Sequence, residues 1–303
     1  MSDEKDKNPL ISVVVITYNS SKYILETLES IKKQTYNKIE LIVSDDSSTD
    51  DTLAICNRYI NDNNSRFART ELITVESNTG IPANCNRGIK ASKGSWIKFL
   101  AGDDTLKADC VSSYVDYCTL NKEICVIHSN CEYFLESFEP QAFIRTSALK
   151  SEVFNQLFIT ANEQYKLLLI RNRVIAPSIF IKREALLEIG GFDERLRLID
   201  DLPLWLKFTR NGTKIYYLDK ATVNYRKTDN SVTKNRKANM DSRFAKESLI
   251  FYRLYLKHEV SYIKGFRFKL GLKIVLFLNM INFNLDCGLS EKLFKLADRI
   301  MVS

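Results

Sequence analysis

Four apolar, β-rich runs, at residues 11–17, 39–44, 72–75 and 96–101, each give way to a polar turn and then to a stretch of helical period. After the first run Ile24, Leu25, Leu28 and Ile31 recur at helical spacing; after the second, Leu53, Ile55 and Tyr59 do so behind Asp50 and Asp51. After the third, Pro82 suits the first turn of a helix running to about residue 91. Strand, turn and helix repeated in this way predict an α/β fold with a mostly parallel, Rossmann-like sheet and right-handed crossovers.

The turns carry the chemistry. Thr17-Tyr18-Asn19, Asp45-Asp46-Ser47-Ser48, Asn78-Thr79-Gly80 and Asp103-Asp104 each follow a strand, so all four belong at one edge, where open α/β sheets bind ligands. Any one cluster alone reads as a turn or helix cap. Asp103 and Asp104 are adjacent carboxylates behind Gly102, and holding both ionised in a partly dry cleft requires a divalent cation or a hydrogen-bonded hydroxyl.

Further along, residues 108–120 read as a helix and 125–129 as a strand. Residues 136–165 are irregular and are assigned to loops and helices over the sheet edge, a usual place for acceptor selection. Order returns at 175–181, in a helix at 183–189, a turn at Gly190-Gly191-Phe192-Asp193-Glu194, a helix at 200–209, and strands at 214–218 and 221–225. Three parts are expected: a disordered N-terminus at 1–10, a domain at 11–230 divided near 104 into nucleotide-binding and acceptor halves, and a basic helical region at 231–303.

A composition of 45% hydrophobic and 27% charged residues suits a soluble globular chain, and no run approaches the ~18 apolar residues of a membrane span. No secretory signal pattern opens the sequence, which together with seven cysteines lacking any CxxC pair predicts a cytoplasmic protein with reduced, mostly buried thiols and no zinc cluster. His128 has no partner at ligand spacing and is expected to be structural. From residue 231 onward fourteen Lys and Arg stand against six Asp and Glu, a net +8 that exceeds the whole chain's +7. In the tail Phe266, Leu270, Ile274, Phe277 and Ile281 recur among Lys264, Arg267, Lys269 and Lys273. That pattern fits either peripheral contact of residues 260–283 with an anionic membrane face or a helix packed on the domain; no specific nucleic-acid module is present. A dehydrogenase is disfavoured because no GxGxxG follows the first strand.

The segments Val14-Val15-Ile16-Thr17-Tyr18-Asn19, Asp45-Asp46-Ser47-Ser48-Thr49-Asp50, Asn78-Thr79-Gly80, Gly102-Asp103-Asp104 and Gly190-Gly191-Phe192-Asp193-Glu194 together closely resemble the family 2 glycosyltransferases of GT-A fold, over about residues 11–231. The resemblance implies an inverting enzyme that moves a sugar, of hexosyl or N-acetylhexosaminyl type, from a nucleotide-diphosphate sugar, usually UDP-linked, to an acceptor hydroxyl. Bacterial relatives imply a glycan or lipid-linked acceptor in cell-surface polysaccharide assembly, at the inner face of the cytoplasmic membrane. By position, Thr17, Tyr18, Asn19, Asp45, Asn78, Gly80 and Asn86 would line the nucleotide pocket and Asp46 would hold the uracil. Asp103 would sit near the ribose, and Asp104, with Asp103, would ligate Mn²⁺ or Mg²⁺. Asp201 would be the general base, supported by Asp200; an N-cap is the plainer reading of that pair. Trp205 is weighed as a sugar-stacking wall against a place in the core.

Three positions depart from the family pattern: Cys85 stands in place of a frequent Arg, Pro203 follows the base in place of Asp, and Thr228 stands where relatives often carry His. Arg226 and Lys227 are candidates to supply positive charge to the diphosphate instead. With those departures, a catalytically silent sugar-nucleotide or glycan-binding protein is the alternative reading.

Overall fold

A computed structural model of the chain describes residues 8–228, 242–259 and 262–280. Residues 1–7, 229–241, 260–261 and 281–303, and with them part of the basic helical region expected at 231–303, lie outside the described residues. The chain divides into two compact units, Met1–Glu194 with Leu204–Lys227, and Arg195–Pro203 with Thr228–Ser303.

The first unit begins with residues 8–10, which are ordered: the Tyr36 hydroxyl donates to the Pro9 carbonyl and Lys38 Nζ to the Asn8 carbonyl. Then come β1 (Ile11–Thr17), α1 (Ile24–Lys32), β2 (Ile39–Asp45), α2 (Thr52–Asn63), β3 (Arg69–Ile73), α3 (Ile81–Ala91) and β4 (Trp96–Ala101). These are the four expected repeats, with β3 starting three residues before the expected run. A two-residue strand, β5 (Thr105–Leu106), leads to α4 (Cys110–Leu120) and the long β6 (Val126–Leu135). The irregular stretch supplies β7 (Phe143–Thr146) and α5 (Ala161–Leu168). Then follow β8 (Phe180–Lys182), α6 (Arg183–Glu188), α7 (Asp201–Arg210), whose first three residues belong to the second unit, and β9 (Ile215–Lys227).

Among the described residues the strands form one sheet in the order β3-β2-β1-β4-β8-β6-β9-β5, with β7 added on β6. The β3-β2-β1-β4 half is parallel, as the repeats require. Beyond it β8 pairs antiparallel with β4 and β6, while β6 and β9 run parallel over most of their length. The sheet is therefore mixed, because the second half is built from chain returns rather than from strand-helix crossovers.

Burial explains the near-continuous apolar character of the central strands. Ile11, Val13, Val14 and Val15 are all fully buried, which requires cover on both faces. On one face Val13, Val15, Leu41 and Val43 join Ile24, Leu28 and Ile31 of α1 in the main core. On the other, α3 approaches so closely that a Cβ on Gly88 would lie 2.3 Å from Val14 Cγ1, so only glycine fits there.

In the second unit α8 (Ser242–Phe251) packs with α9 (Tyr262–Met280) through Ala245, Leu272 and Val275, flanked by Leu249 and Phe268. Of the stripe read from the sequence, Phe266 and Leu270 are exposed, whereas Ile274 packs against this cluster. No helix among the described residues is long and apolar enough to cross a membrane.

Candidate active site

Parallel register aligns the ends of the central strands. Thr17 pairs with Asp45, Ile16 with Ala101 and Ser44 with Ile73, which brings the polar clusters behind β1, β2, β3 and β4 to one edge. The turns interlock there: Asp46 N–H donates to the Thr17 carbonyl at 3.0 Å, and Gly102 N–H to the Ile16 carbonyl at 2.9 Å.

The turn after β1 is built on Asn19, which adopts a positive φ of 50°. That backbone state is tolerated by Asn better than by most residues. Its Oδ1 accepts from Thr49 N–H at 2.8 Å, and its own N–H donates to Ser48 Oγ at 2.8 Å, so the turns behind β1 and β2 form one surface. Tyr18, half exposed, stands beside it, while Thr17 is buried with an Oγ1 that has no partner among the described residues. Asp45 is buried and caps its own turn, accepting from Ser48 N–H at 2.8 Å and from the Ser48 hydroxyl.

Asp46 lies at the centre of this surface, and its carboxylate already has several donors. Thr79 N–H, the Thr79 hydroxyl at 2.6 Å, Gly80 N–H at 2.7 Å and Arg87 Nη2 at 2.7 Å all donate to it. Burial pushes its pKa up, but these hydrogen bonds outweigh burial and hold it below the usual carboxylate value. Asp46 thus ties the Asn78-Thr79-Gly80 turn, where Gly80 has φ 95° and Asn78 is exposed, to β2. Arg87 was missed by the sequence reading. It supplies a guanidinium two positions beyond Cys85, the buried thiol that stands in place of the family's arginine. Asn86 has a scaffold role, accepting from Phe192 N–H at 2.9 Å and donating to the Phe192 carbonyl and to Glu194, so it pins the Gly190–Glu194 turn to α3.

Asp103 and Asp104 occupy the tight turn behind β4. Asp104 is 1% exposed. Its Oδ1 accepts the Arg226 backbone N–H at 2.8 Å, and its Oδ2 is buried with no partner among the described residues. Burial first, then the charge of Asp103, raises the Asp104 pKa well above the ordinary carboxylate range; the Arg226 N–H, Lys98 and the Arg226 charge oppose that rise. Burial also raises Asp103. Two carboxyl groups destabilised as anions, one with an unpartnered oxygen, fit a hard divalent cation whose remaining ligands a diphosphate would supply. Among the described residues no third His, Cys, Asp or Glu joins them.

Arg226 and Lys98 surround this pair. The Arg226 guanidinium, expected at a diphosphate, is 2% exposed and committed elsewhere. Its Nε donates to the Asp103 carbonyl at 2.8 Å, Nη1 to the Glu136 carbonyl and Nη2 to Glu26, and it lies 4.3 Å from the Tyr23 ring centroid and 4.0 Å from that of Phe138. Lys227 Nζ lies over the Tyr133 ring at 5.3 Å. Lys98, hidden within β4, is fully buried and donates to the carbonyls of Phe99 at 2.7 Å and Pro177 at 2.5 Å; burial lowers its pKa.

In the second unit Asp201 opens α7 and accepts from Leu202 N–H at 2.7 Å. Burial first, then the charge of Asp201, holds the Asp200 carboxyl up at about 7. The segment before the pair is fixed by Glu247 of α8, whose carboxylate accepts N–H groups from Arg197, Leu198 and Ile199 at 2.7, 2.6 and 3.0 Å. Sequence patterning carried no signal for that contact, which spans about fifty positions.

Two expectations are settled by burial. Trp205 is 1% exposed and is a core residue, so it is no sugar-stacking wall. His128 is fully buried against Asn155 Oδ1 at 2.9 Å, and burial lowers its pKa to about 4, so it is neutral and structural.

The chain is similar in sequence and fold to known proteins. The sequence model described as Glycosyl transferase family 2 matches residues 12–190, more than half of the chain. The Bacillus subtilis glycosyltransferase EpsJ is 27% identical over 82% of this chain and 71% of its own length. TuaG of the same organism, described as a putative teichuronic acid biosynthesis glycosyltransferase, is 26% identical over 75% of this chain and 83% of its own. Among solved structures, S. aureus TarS 1–349 in complex with UDP-GlcNAc superposes with a TM-score of 0.61 at 20% identity, covering 95% of this chain and 79% of that one. The Pyrobaculum calidifontis mannosyltransferase PcManGT, in complex with GDP-Man and Mn²⁺, gives 0.58 at 16% identity over 97% and 74%. These likenesses establish the GT-A type of α/β fold, and the chain belongs to glycosyl transferase family 2 and is a glycosyltransferase.

Proposed function

We propose that this glycosyltransferase moves a hexosyl or N-acetylhexosaminyl group from a UDP-linked sugar to a hydroxyl of a glycan or lipid-linked oligosaccharide, with inversion, during assembly of a bacterial cell-surface polysaccharide. The observation that carries the donor half is Asp104, a buried carboxylate with one oxygen fixed by Arg226 N–H and the other unpartnered, beside Asp103 at the strand edge shared with Thr17 and Asp46. Asp103 and Asp104 would hold Mn²⁺ or Mg²⁺. When bound, that ion supplies positive charge against the negative charge that develops on a departing diphosphate. TarS binding UDP-GlcNAc and the teichuronic acid assignment of TuaG support the donor and pathway classes.

The chain's own residues would divide the work. Thr17, Tyr18 and Asn19 border the base and ribose. Asp46 and Arg87 hold the Thr79-Gly80 rim in place. Single displacement requires a base for the acceptor hydroxyl, and Asp201, with Asp200 beside it, is the assigned one. The exposed Phe266 and Leu270 on α9 favour contact with the inner membrane surface, where a lipid-linked acceptor would be presented. A screen of UDP- and GDP-sugars for nucleotide release with Mn²⁺, followed by mass analysis of the glycosylated acceptor, tests the reading. UDP release from one donor and a single added sugar are expected; turnover of GDP-sugars alone would overturn the UDP assignment.

A further inference from the structure

We propose that an open cleft beside the β6–β7 pair binds an oxyanion, a phosphate or carboxylate group, carried by the acceptor. The cleft has a volume of about 440 Å³ and is lined by Arg145, Arg171 and Arg173 together with Tyr133, Ser147 and Glu152. Three guanidinium groups face one carboxylate. Glu152 pairs with Arg171 at 3.3 Å and with Arg173 at 3.1 Å, which leaves an excess of positive charge in a concave surface.

Arg145 is exposed and lies 4.3 Å over the Tyr133 ring, with no ion pair among the described residues. Arg173 is largely buried, its side chain only 16% exposed, yet its Nε has no partner among the described residues. A buried N–H without an acceptor is costly, and guanidinium forks match the oxygens of phosphate and carboxylate.

The position of the cleft gives the ligand its role. Arg145 pairs with Tyr133 across β6–β7, Tyr133 pairs with Tyr225 across β6–β9, and the next residue, Arg226, donates its N–H to Asp104. Two strand spacings, roughly 10 Å, therefore separate Arg145 from the strand that holds Asp104. The cleft therefore lies within the same sheet neighbourhood as the acidic turn. The role as acceptor anchor rests on the glycosyltransfer reading above. Exposed Val153 and Ile170 adjoin Glu152 and Arg171 in the chain, so the anion could be borne by the glycan itself or by a lipid chain.

Calorimetric titration of the full chain, with and without saturating UDP and Mg²⁺, tests this with glycerol 1-phosphate and glucuronate as glycan-type anions, octyl phosphate as the lipid-type anion and glycerol as the neutral control. The anions are expected to bind equally with and without UDP, and glycerol not to bind. Arg145→Gln should weaken them at least tenfold, and Glu152→Gln, which releases two arginines, should tighten them at least threefold. Octyl phosphate binding at least tenfold tighter than glycerol 1-phosphate assigns the lipid source; comparable affinities assign the glycan. Anions displaced by UDP, or binding unchanged in both variants, would overturn the proposal. A chain that binds the anions but not UDP would refute the donor assignment while leaving the cleft intact.

Discussion

The backbone N–H of Arg226 donates to Asp104 Oδ1 at 2.8 Å, and the guanidinium of the same residue donates to the Asp103 carbonyl at 2.8 Å. One residue from the end of β9 thus grips both halves of the acidic turn behind β4. Arg226 is a positioning residue in this account, and its charge also favours the ionised form of both carboxyl groups.

Arg226→Met keeps the backbone bond and removes the guanidinium, freeing the Asp103 carbonyl and Glu26. Groups that orient metal ligands typically contribute 10–100-fold to metal affinity, so Mn²⁺ binding should weaken by about that factor. Arg226→Lys should not rescue it, because an ammonium cannot span the carbonyls and the carboxylate that the planar fork reaches. Mn²⁺ titration followed by electron paramagnetic resonance would check this; unchanged affinity would show that the turn holds itself.

The Asp200–Asp201 pair predicts a pH profile. Asp200 is raised to about 7, so the pair keeps one shared proton below that pH and loses it above. If the pair supplies the base, kcat/KM rises with pH below about 7 and levels off beyond it. Asp200→Asn removes the carboxyl that titrates at about 7, so the inflection there should be lost. Stability shows the opposite slope: between the ordinary value of 3.8 and about 7 the folded chain holds a proton that the unfolded chain has lost, so this group costs stability as pH rises through that window. Asp200→Asn should flatten that slope in denaturant titrations.

Glu247→Gln tests whether α8 fixes the segment before the pair. The amide keeps one acceptor oxygen, enough for the Leu198 and Ile199 N–H groups that share Oε2, but turns an NH2 toward the Arg197 N–H that Oε1 accepts; it also loses the charge, and the charge of Glu247 helps to raise Asp200. The expected result is a pH inflection shifted slightly acidic. Glu247→Ala, which removes the acceptors altogether, should lower kcat by up to about 100-fold, the scale on which small misplacements of catalytic groups act. UDP affinity should stay within threefold in both variants.

Local patterning made much of this legible. β1, α1, β2, α3 and β4 each carry their own signal, as strand-forming apolar runs or apolar residues at helical spacing, and each stands where that signal puts it. β3 is displaced because it is an edge strand whose five residues are all partly exposed, so burial gives it no sharp period. β5 has two residues and exists through its pairing with Val223 and Asn224, which no local window contains. β9 reads as two strands because Asp219 and Lys220 interrupt the apolar run, yet it continues through them with a register shift against β6. The same distinction holds at the site. Asp103 and Asp104 announce themselves as neighbours, whereas Arg226 meets them across 122 positions and Glu247 meets Arg197 across 50, and Arg226 was accordingly assigned to the diphosphate.

The most direct test compares UDP binding and sugar transfer in Asp104→Ala and Asp201→Asn, with Mn²⁺ and the donor identified by the screen. Asp201→Asn is expected to abolish transfer while UDP affinity stays within about threefold, and Asp104→Ala to lose the metal-dependent part of UDP binding together with turnover. Equal loss of UDP affinity in the two variants, or full transfer by Asp201→Asn, would contradict it.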